Sequence, residues 1–129
     1  MKNGFLLDTS FLIDLDEEAA ARSDGPATRT LAALGAGVRL YVSPVTVAEL
    51  LEGAEDAEAT ERALSAYRVM TIGWGTALRC ALAQARAPRR MGENDAWQAA
   101  LAIGAELTLI GHDRIFENRP RLAYLDHRV

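Results

Sequence analysis

Four acids, Asp8, Glu49, Asp95 and Asp113, stand among apolar or small neighbours where strands should end or helices begin. Asp8 closes the run Phe5-Leu6-Leu7 and precedes Thr9 and Ser10. Glu49 lies inside Val45-Thr46-Val47-Ala48-Glu49-Leu50-Leu51, and Asp95 opens Ala96-Trp97-Gln98-Ala99-Ala100-Leu101-Ala102-Ile103. Asp113 follows Leu107-Thr108-Leu109-Ile110 after Gly111-His112. Carboxylates that converge at one edge of a sheet repel one another, and burying one unpaired is costly. A hard cation resolves both problems, so the pattern reads as a Mg²⁺ or Mn²⁺ site.

Each acid also has a plainer explanation. Asp8 and Asp95 are placed to cap the helices that follow them, Glu49 to sit in solvent like Glu52 and Glu55, and Asp113 to form a turn. Gly53, one turn after Glu49, leaves space beside that acid. His112 and His127 read as turn or surface histidines, Trp74 and Trp97 as core or partner-contact residues, and Asp14, Asp16, Glu17 and Glu18 as a solvated face. Glu93 and Asn94 border the site and read as solvated or capping residues.

The elements that would carry these residues alternate. Gly4 to Leu7 suits a buried strand, and Thr9 to Leu15 a helix with Phe11, Leu12 and Leu15 on one side. Asp16 to Pro26 is acidic and small, with Ser-Asp-Gly-Pro as a loop signal. Pro26 opens a helix bearing Leu31, Leu34 and Val38, and 38 to 42 alternates as a second strand. Ser43 and Pro44 are an N-cap and a first-turn proline for a helix with Val47, Leu50, Leu51 and Ala54 on one face. Residues 56 to 68 form a charged helix with Ala63, Leu64 and Tyr67 inward, and 69 to 72 a third strand. Thr76 to Ala87 is a helix with Leu78, Ala81, Leu82 and Ala85 apolar, stopped by Pro88. Asn94 or Asp95 caps the next helix, whose buried stripe is Ala96, Ala99, Ala100 and Ile103. Strands at 107 to 110 and 122 to 125 complete the series. This order predicts one α/β domain over residues 1–129, with a mostly parallel sheet of about five strands covered on both faces. Such sheets bind ligands beyond the carboxyl ends of their strands, where Asp8 and Asp113 fall.

Half of the 129 residues are hydrophobic and a quarter charged, as in a soluble globular protein. The amino-terminal stretch to Asp8 is too short an apolar run for a signal peptide, and no run approaches a membrane span. The single Cys80 has no disulfide partner within the chain and reads as a core thiol of a cytoplasmic protein. The net charge of −4 is unevenly spread: residues 1–61 carry twelve acids and four cations, whereas 62–129 carry ten arginines and six acids. From Arg62 to Gly92 there is no acid at all. Arg86, Arg89 and Arg90 lead straight into Asp95 and are candidates for drawing in a phosphate backbone, with a solvated face as the plainer reading.

The blocks LLDTSFLIDL, VTVAELLEG, ENDAWQAALAI and LTLIGHDRIF, in that order, resemble the PIN-domain nucleases, and among them the VapC-type toxins of toxin–antitoxin pairs. The likeness covers nearly the whole chain and implies a PIN-like α/β/α sandwich. The fourth block departs from the pattern: Gly111 stands where that block usually has Thr or Ser, although Asp113 and Phe116 fit. The resemblance implies an endoribonuclease that uses Mg²⁺ or Mn²⁺ held by Asp8, Glu49, Asp95 and Asp113, with Thr9 and Ser10 beside the water or the phosphate. Hydroxide would attack phosphorus in line and leave a 5′-phosphate and a 3′-hydroxyl. It also implies a cognate antitoxin, whose acidic tail the arginine-rich stretch would suit as well as RNA, and a homodimer.

Two other readings compete. An Asp after a first strand also begins haloacid-dehalogenase-type phosphatases and receiver domains. The phosphatases need a second Asp two residues on, where Ser10 stands, and both need a lysine beside the phosphoryl group. The only lysine is Lys2. P-loop and dinucleotide fingerprints are absent as well. The remaining alternative is a PIN-like module that binds RNA or protein without cutting.

Overall fold

The computed structural model describes residues 4–129; Lys2 and the start of the amino-terminal run lie outside them. Strands β1 (Gly4–Leu7), β2 (Arg39–Val42), β3 (Arg68–Val69), β4 (Thr108–Gly111) and β5 (Tyr124–Asp126) form one sheet in the order β3-β2-β1-β4-β5. All four pairings are parallel, with Leu6 opposite Tyr41 on one side and Leu109 on the other. Among the described residues the α-helices are α1 (Thr9–Ala20), α2 (Pro26–Leu34), α3 (Pro44–Glu52), α4 (Ala57–Leu64), α5 (Trp74–Arg86) and α6 (Glu93–Ala105).

Alternation along the central strands divides the core in two. Leu6 and Leu109 pack with Cys80, Met91, Leu101 and Phe116 on the face covered by α5 and α6. Leu7 and Ile110 pack with Phe11, Leu12, Ala27 and Leu64 on the face covered by α1, α2 and α4. The result is the expected α/β/α sandwich. The chain runs from β1 outward to β3, then crosses back to place β4 on the other side of β1. That reversal falls between β1 and β4, whose carboxyl ends are the usual ligand position in such sheets.

Several sequence expectations change in the folded chain. Helix α1 does not stop at Leu15 but continues to Ala20 through the acidic run. Its Glu18 accepts hydrogen bonds from Ala27 N (3.0 Å) and Thr28 N (2.8 Å). These are free amides at the start of α2, where the cap residue Gly25 has no side chain to offer. Helix α2 ends at Leu34, leaving Val38 outside it. The third strand is two residues long and begins at Arg68.

Asp14 and His127 are both buried rather than solvated. Asp14 accepts from Arg128 through two nitrogens, at 2.7 and 2.8 Å, and pairs with His127 Nε2 at 2.8 Å. This clasp ties the segment after β5 to α1. Helix α5 turns much of its apolar side outward, leaving Trp74 79% exposed, Leu78 48% and Leu82 53%; Ala63 of α4 is exposed too. Cys80 is buried, as expected, and Trp97 packs partly buried against the core. Among the described residues no helix is long and apolar enough to cross a membrane.

Candidate active site

Asp8 is the first residue beyond β1, only 7% exposed, and it caps α1 through Ser10 N. Capping is thus part of its role but leaves most of its bonds unexplained. Ser10 Oγ donates to Asp8 Oδ2 at 2.7 Å, and Gln98 Nε2 donates to Asp8 Oδ1 at 3.0 Å. Ser10 Oγ in turn accepts from His112 N at 2.9 Å, which ties the turn after β4 to the turn after β1.

Glu49 is positioned by α3, whose start is fixed by Pro44 and by the Ser43 hydroxyl accepting from Thr46 N. Thr9 Oγ1 donates to Glu49 Oε1 at 2.8 Å and lies 3.0 Å from Thr46 Oγ1. Thr46 and Glu49, three residues apart, share one face of α3. Thr9 therefore bridges the two helices that follow β1 and β2.

Asp95 is not a cap. Helix α6 begins at Glu93 with Gly92 as the capping residue, so Asp95 sits in the first turn. Its carboxyl is pushed up to about 6, first by burial and then by the charges of Asp113, Asp8 and Glu49. The other three acids thus reach Asp95 electrostatically although they come from three different elements. Gln98, one turn on, carries the same helix face into the core at 1% exposure.

Asp113 follows β4 and turns Oδ1 to its own Ile115 N at 3.0 Å, the turn role foreseen as the plainer reading. Tyr124 from β5 holds the backbone there, its hydroxyl accepting from Asp113 N and donating to Asp113 O. Beside them His112 Nδ1 lies 2.9 Å from Asp126. The glycine that breaks the fourth block has a steric cause. A Cβ on Gly111 would lie 2.9 Å from Asp8 Cβ and 3.1 Å from both Asp8 Oδ2 and Ser10 Oγ. A Thr or Ser side chain has no room while Asp8 and Ser10 keep these positions.

Among the described residues no three His, Cys, Asp or Glu side chains stand close enough together to enclose a metal ion. Asp8, Glu49 and Asp113 each accept a hydrogen bond from a donor of their own. The donor set nonetheless fits a hard dication: all oxygen, no thiol, and one acid raised by burial and by the field of the other three. Arg86 ends α5, and Arg89 and Arg90 lie in the turn into α6; all three are exposed.

Sequence reasoning missed Gln98, Thr46 and Tyr124. A signal for Gln98 was present: one amide inside an alanine-rich buried stripe must find a polar partner.

A family model for the PIN domain matches residues 5–122. No curated protein matches the chain. Among solved structures, VapBC-1 from nontypeable Haemophilus influenzae superposes with a TM-score of 0.75 at 26% identity, over 98% of this chain and 99% of that one. A toxin–antitoxin complex from Klebsiella pneumoniae gives 0.77 at 25% identity, over 95% and 96%. VapBC2 from Rickettsia felis, bound to a promoter DNA fragment, gives 0.77 at 18% identity, over 95% and 97%.

Proposed function

The chain belongs to the PIN-domain family, and we propose that it is an endoribonuclease dependent on Mg²⁺ or Mn²⁺ and the toxin of a cytoplasmic toxin–antitoxin pair. One observation carries this reading: the carboxyl of Asp95 is lifted by burial and then by Asp113, Asp8 and Glu49 together, at the strand ends where the sheet order reverses. Asp8, Asp95, Asp113 and Glu49 would hold the cation, which when bound would activate water and offset charge developing on the phosphate. Gln98 and Ser10 hold the two carboxylate oxygens of Asp8, and Thr9 holds Oε1 of Glu49. The Ser10 hydroxyl donates to Asp8 and accepts from His112 N, which ties the turn after β4 to the proposed metal ligand. Exposed Arg86, Arg89 and Arg90 supply charge for the RNA backbone at the corner before Asp95.

The antitoxin reading rests on the matched VapBC-1 and Klebsiella pneumoniae structures. A second surface suits such a partner. A cleft of about 690 Å³ between α1, α3 and α4 has Leu12, Ile13 and Leu50 in its lining with Asp16, Glu17 and Glu49. Its chemistry fits an apolar segment carrying basic side chains rather than the acidic tail expected at the arginines, and at Glu49 and Thr9 it adjoins the site. A homodimer remains part of the reading.

The separation of the carboxylates favours one rival, a PIN-like module that holds RNA or protein without cutting. Purified chain incubated with end-labelled RNA and Mn²⁺ or Mg²⁺ separates the two. The nuclease should yield fragments with 5′-phosphate and 3′-hydroxyl ends, stopped by EDTA and by Asp8→Asn. RNA that is retained but intact at every divalent concentration overturns the catalytic reading.

A further inference from the structure

Gln98 occupies a position that suits an apolar side chain. It is 1% exposed, between Ala96 and Ala99 on α6, and its Oε1 is buried without a partner. An unsatisfied buried acceptor opposes folding, and a leucine of similar volume would avoid it. What the amide gains lies on its nitrogen, which donates to Asp8 Oδ1 at 3.0 Å and to Thr46 Oγ1 at 2.8 Å.

The direction of every bond in this group follows from counting protons. A threonine hydroxyl has one to give. Thr9 gives its proton to Glu49, so it must accept from Thr46; Thr46, having given its own, must accept from Gln98. Gln98 has two amide protons, and the second goes to Asp8. The orientation of the amide is thereby fixed by its surroundings, and the stranded Oε1 is the consequence. One unbroken series of donors, from Gln98 through Thr46 and Thr9, reaches carboxylates that are 41 positions apart in the chain.

We propose that Gln98 is a positioning residue that orients Asp8 and Glu49 jointly, through a relay closed by Thr46 and Thr9. The proposal rests on the nuclease reading above for the purpose of that orientation, but the relay itself is a property of the metal-free chain.

The test uses the whole chain with Gln98→Met, Thr9→Val and their double variant, and Mn²⁺ alone as the calorimetric probe. Each single change should weaken Mn²⁺ binding about tenfold, as loss of a bond that orients a ligand does. The double variant should be little weaker than either single, because one break already opens the relay. Unchanged affinity in both singles, or two effects that multiply, overturns the proposal. A second measurement covers the case in which Gln98→Met does not fold. In the metal-free parent, Thr9→Val should shift the Gln98 side-chain amide resonances, although the Thr9 hydroxyl is bonded to Thr46 and Glu49 rather than to Gln98. Amide resonances that ignore Thr9→Val overturn the relay. A parent that binds no Mn²⁺ while those resonances respond leaves the relay standing and overturns the nuclease reading, and with it the positioning role.

Discussion

The Cα of Gly111 faces Asp8 so closely that a methyl group added there would meet the Asp8 Cβ at 2.9 Å. The contact is with the root of the side chain, which cannot swing aside as its tip might. Asp8 is also held from behind, its N–H donating to Ile110 O at 2.8 Å.

Gly111→Ala should therefore push β1 and β4 apart at their carboxyl ends. We expect a loss of about 1–3 kcal/mol from overpacking and weaker Mn²⁺ binding, read by urea denaturation and calorimetry. A variant as stable as the parent and equal to it in Mn²⁺ affinity would show that the turn after β4 yields freely.

In the metal-free protein Asp95 has its carboxyl raised from 3.8 to about 6, so the fold prefers its neutral form. The stability that goes with this preference is complete below about pH 4 and is lost as pH rises through 6. Asp95→Asn, neutral throughout, should be more stable than the parent above pH 6 by about 1–2 kcal/mol after allowing for its partial exposure. The gap should close toward pH 4, and Mn²⁺ should stabilise the parent far more than the variant. Melts across pH in EDTA check this; an Asp95→Asn that is less stable at pH 7 contradicts it.

Asp14 behaves in the opposite sense. Its hydrogen bonds from Arg128, and then from His127, bring its carboxyl down from 3.8 to about 2. Its contribution is present above about pH 4 and disappears as pH falls toward 2. Asp14→Asn should cost about 1–2 kcal/mol at neutral pH, moderated because Arg128 is half exposed. Parent and variant should converge near pH 2, which acid-dependent unfolding would reveal; parallel curves down to that pH would deny the clasp any weight.

Reversing the charge of Arg86, Arg89 and Arg90 together should weaken RNA binding and flatten its salt dependence while leaving Mn²⁺ affinity intact. Filter binding across a salt series reads the slope. If the triple variant binds RNA like the parent at every salt concentration, these arginines are only a solvated face and the RNA path lies elsewhere.

What the sequence made legible was local. Asp8 announced itself by ending an apolar strand, Glu49 by bordering the apolar stripe of a helix whose start Ser43 and Pro44 mark, and Cys80 by its apolar surroundings. Asp95 was legible as a candidate ligand, but the cap expected at Asn94 or Asp95 falls on Gly92, which starts α6 two residues earlier than Asn94 would. The partners of Asp14 lie 113 and 114 positions away, and no periodicity reports such distances. Glu18 looked solvated because the amides it caps belong to the following helix. The apolar side of α5 was visible as a pattern, but a pattern does not say whether anything covers it; Trp74, Leu78 and Leu82 face outward.

The place of β1 in the middle of the sheet sets a timetable for synthesis. Gln98 leaves the ribosome 90 residues after Asp8, and the His112 amide 102 residues after Ser10, to which it bonds, with β4 arriving only alongside it. Contacts between such distant segments form late. A nascent or truncated chain ending before β4 carries three of the four acids and no assembled site. The proposed nuclease site would thus exist only once the sheet is nearly finished.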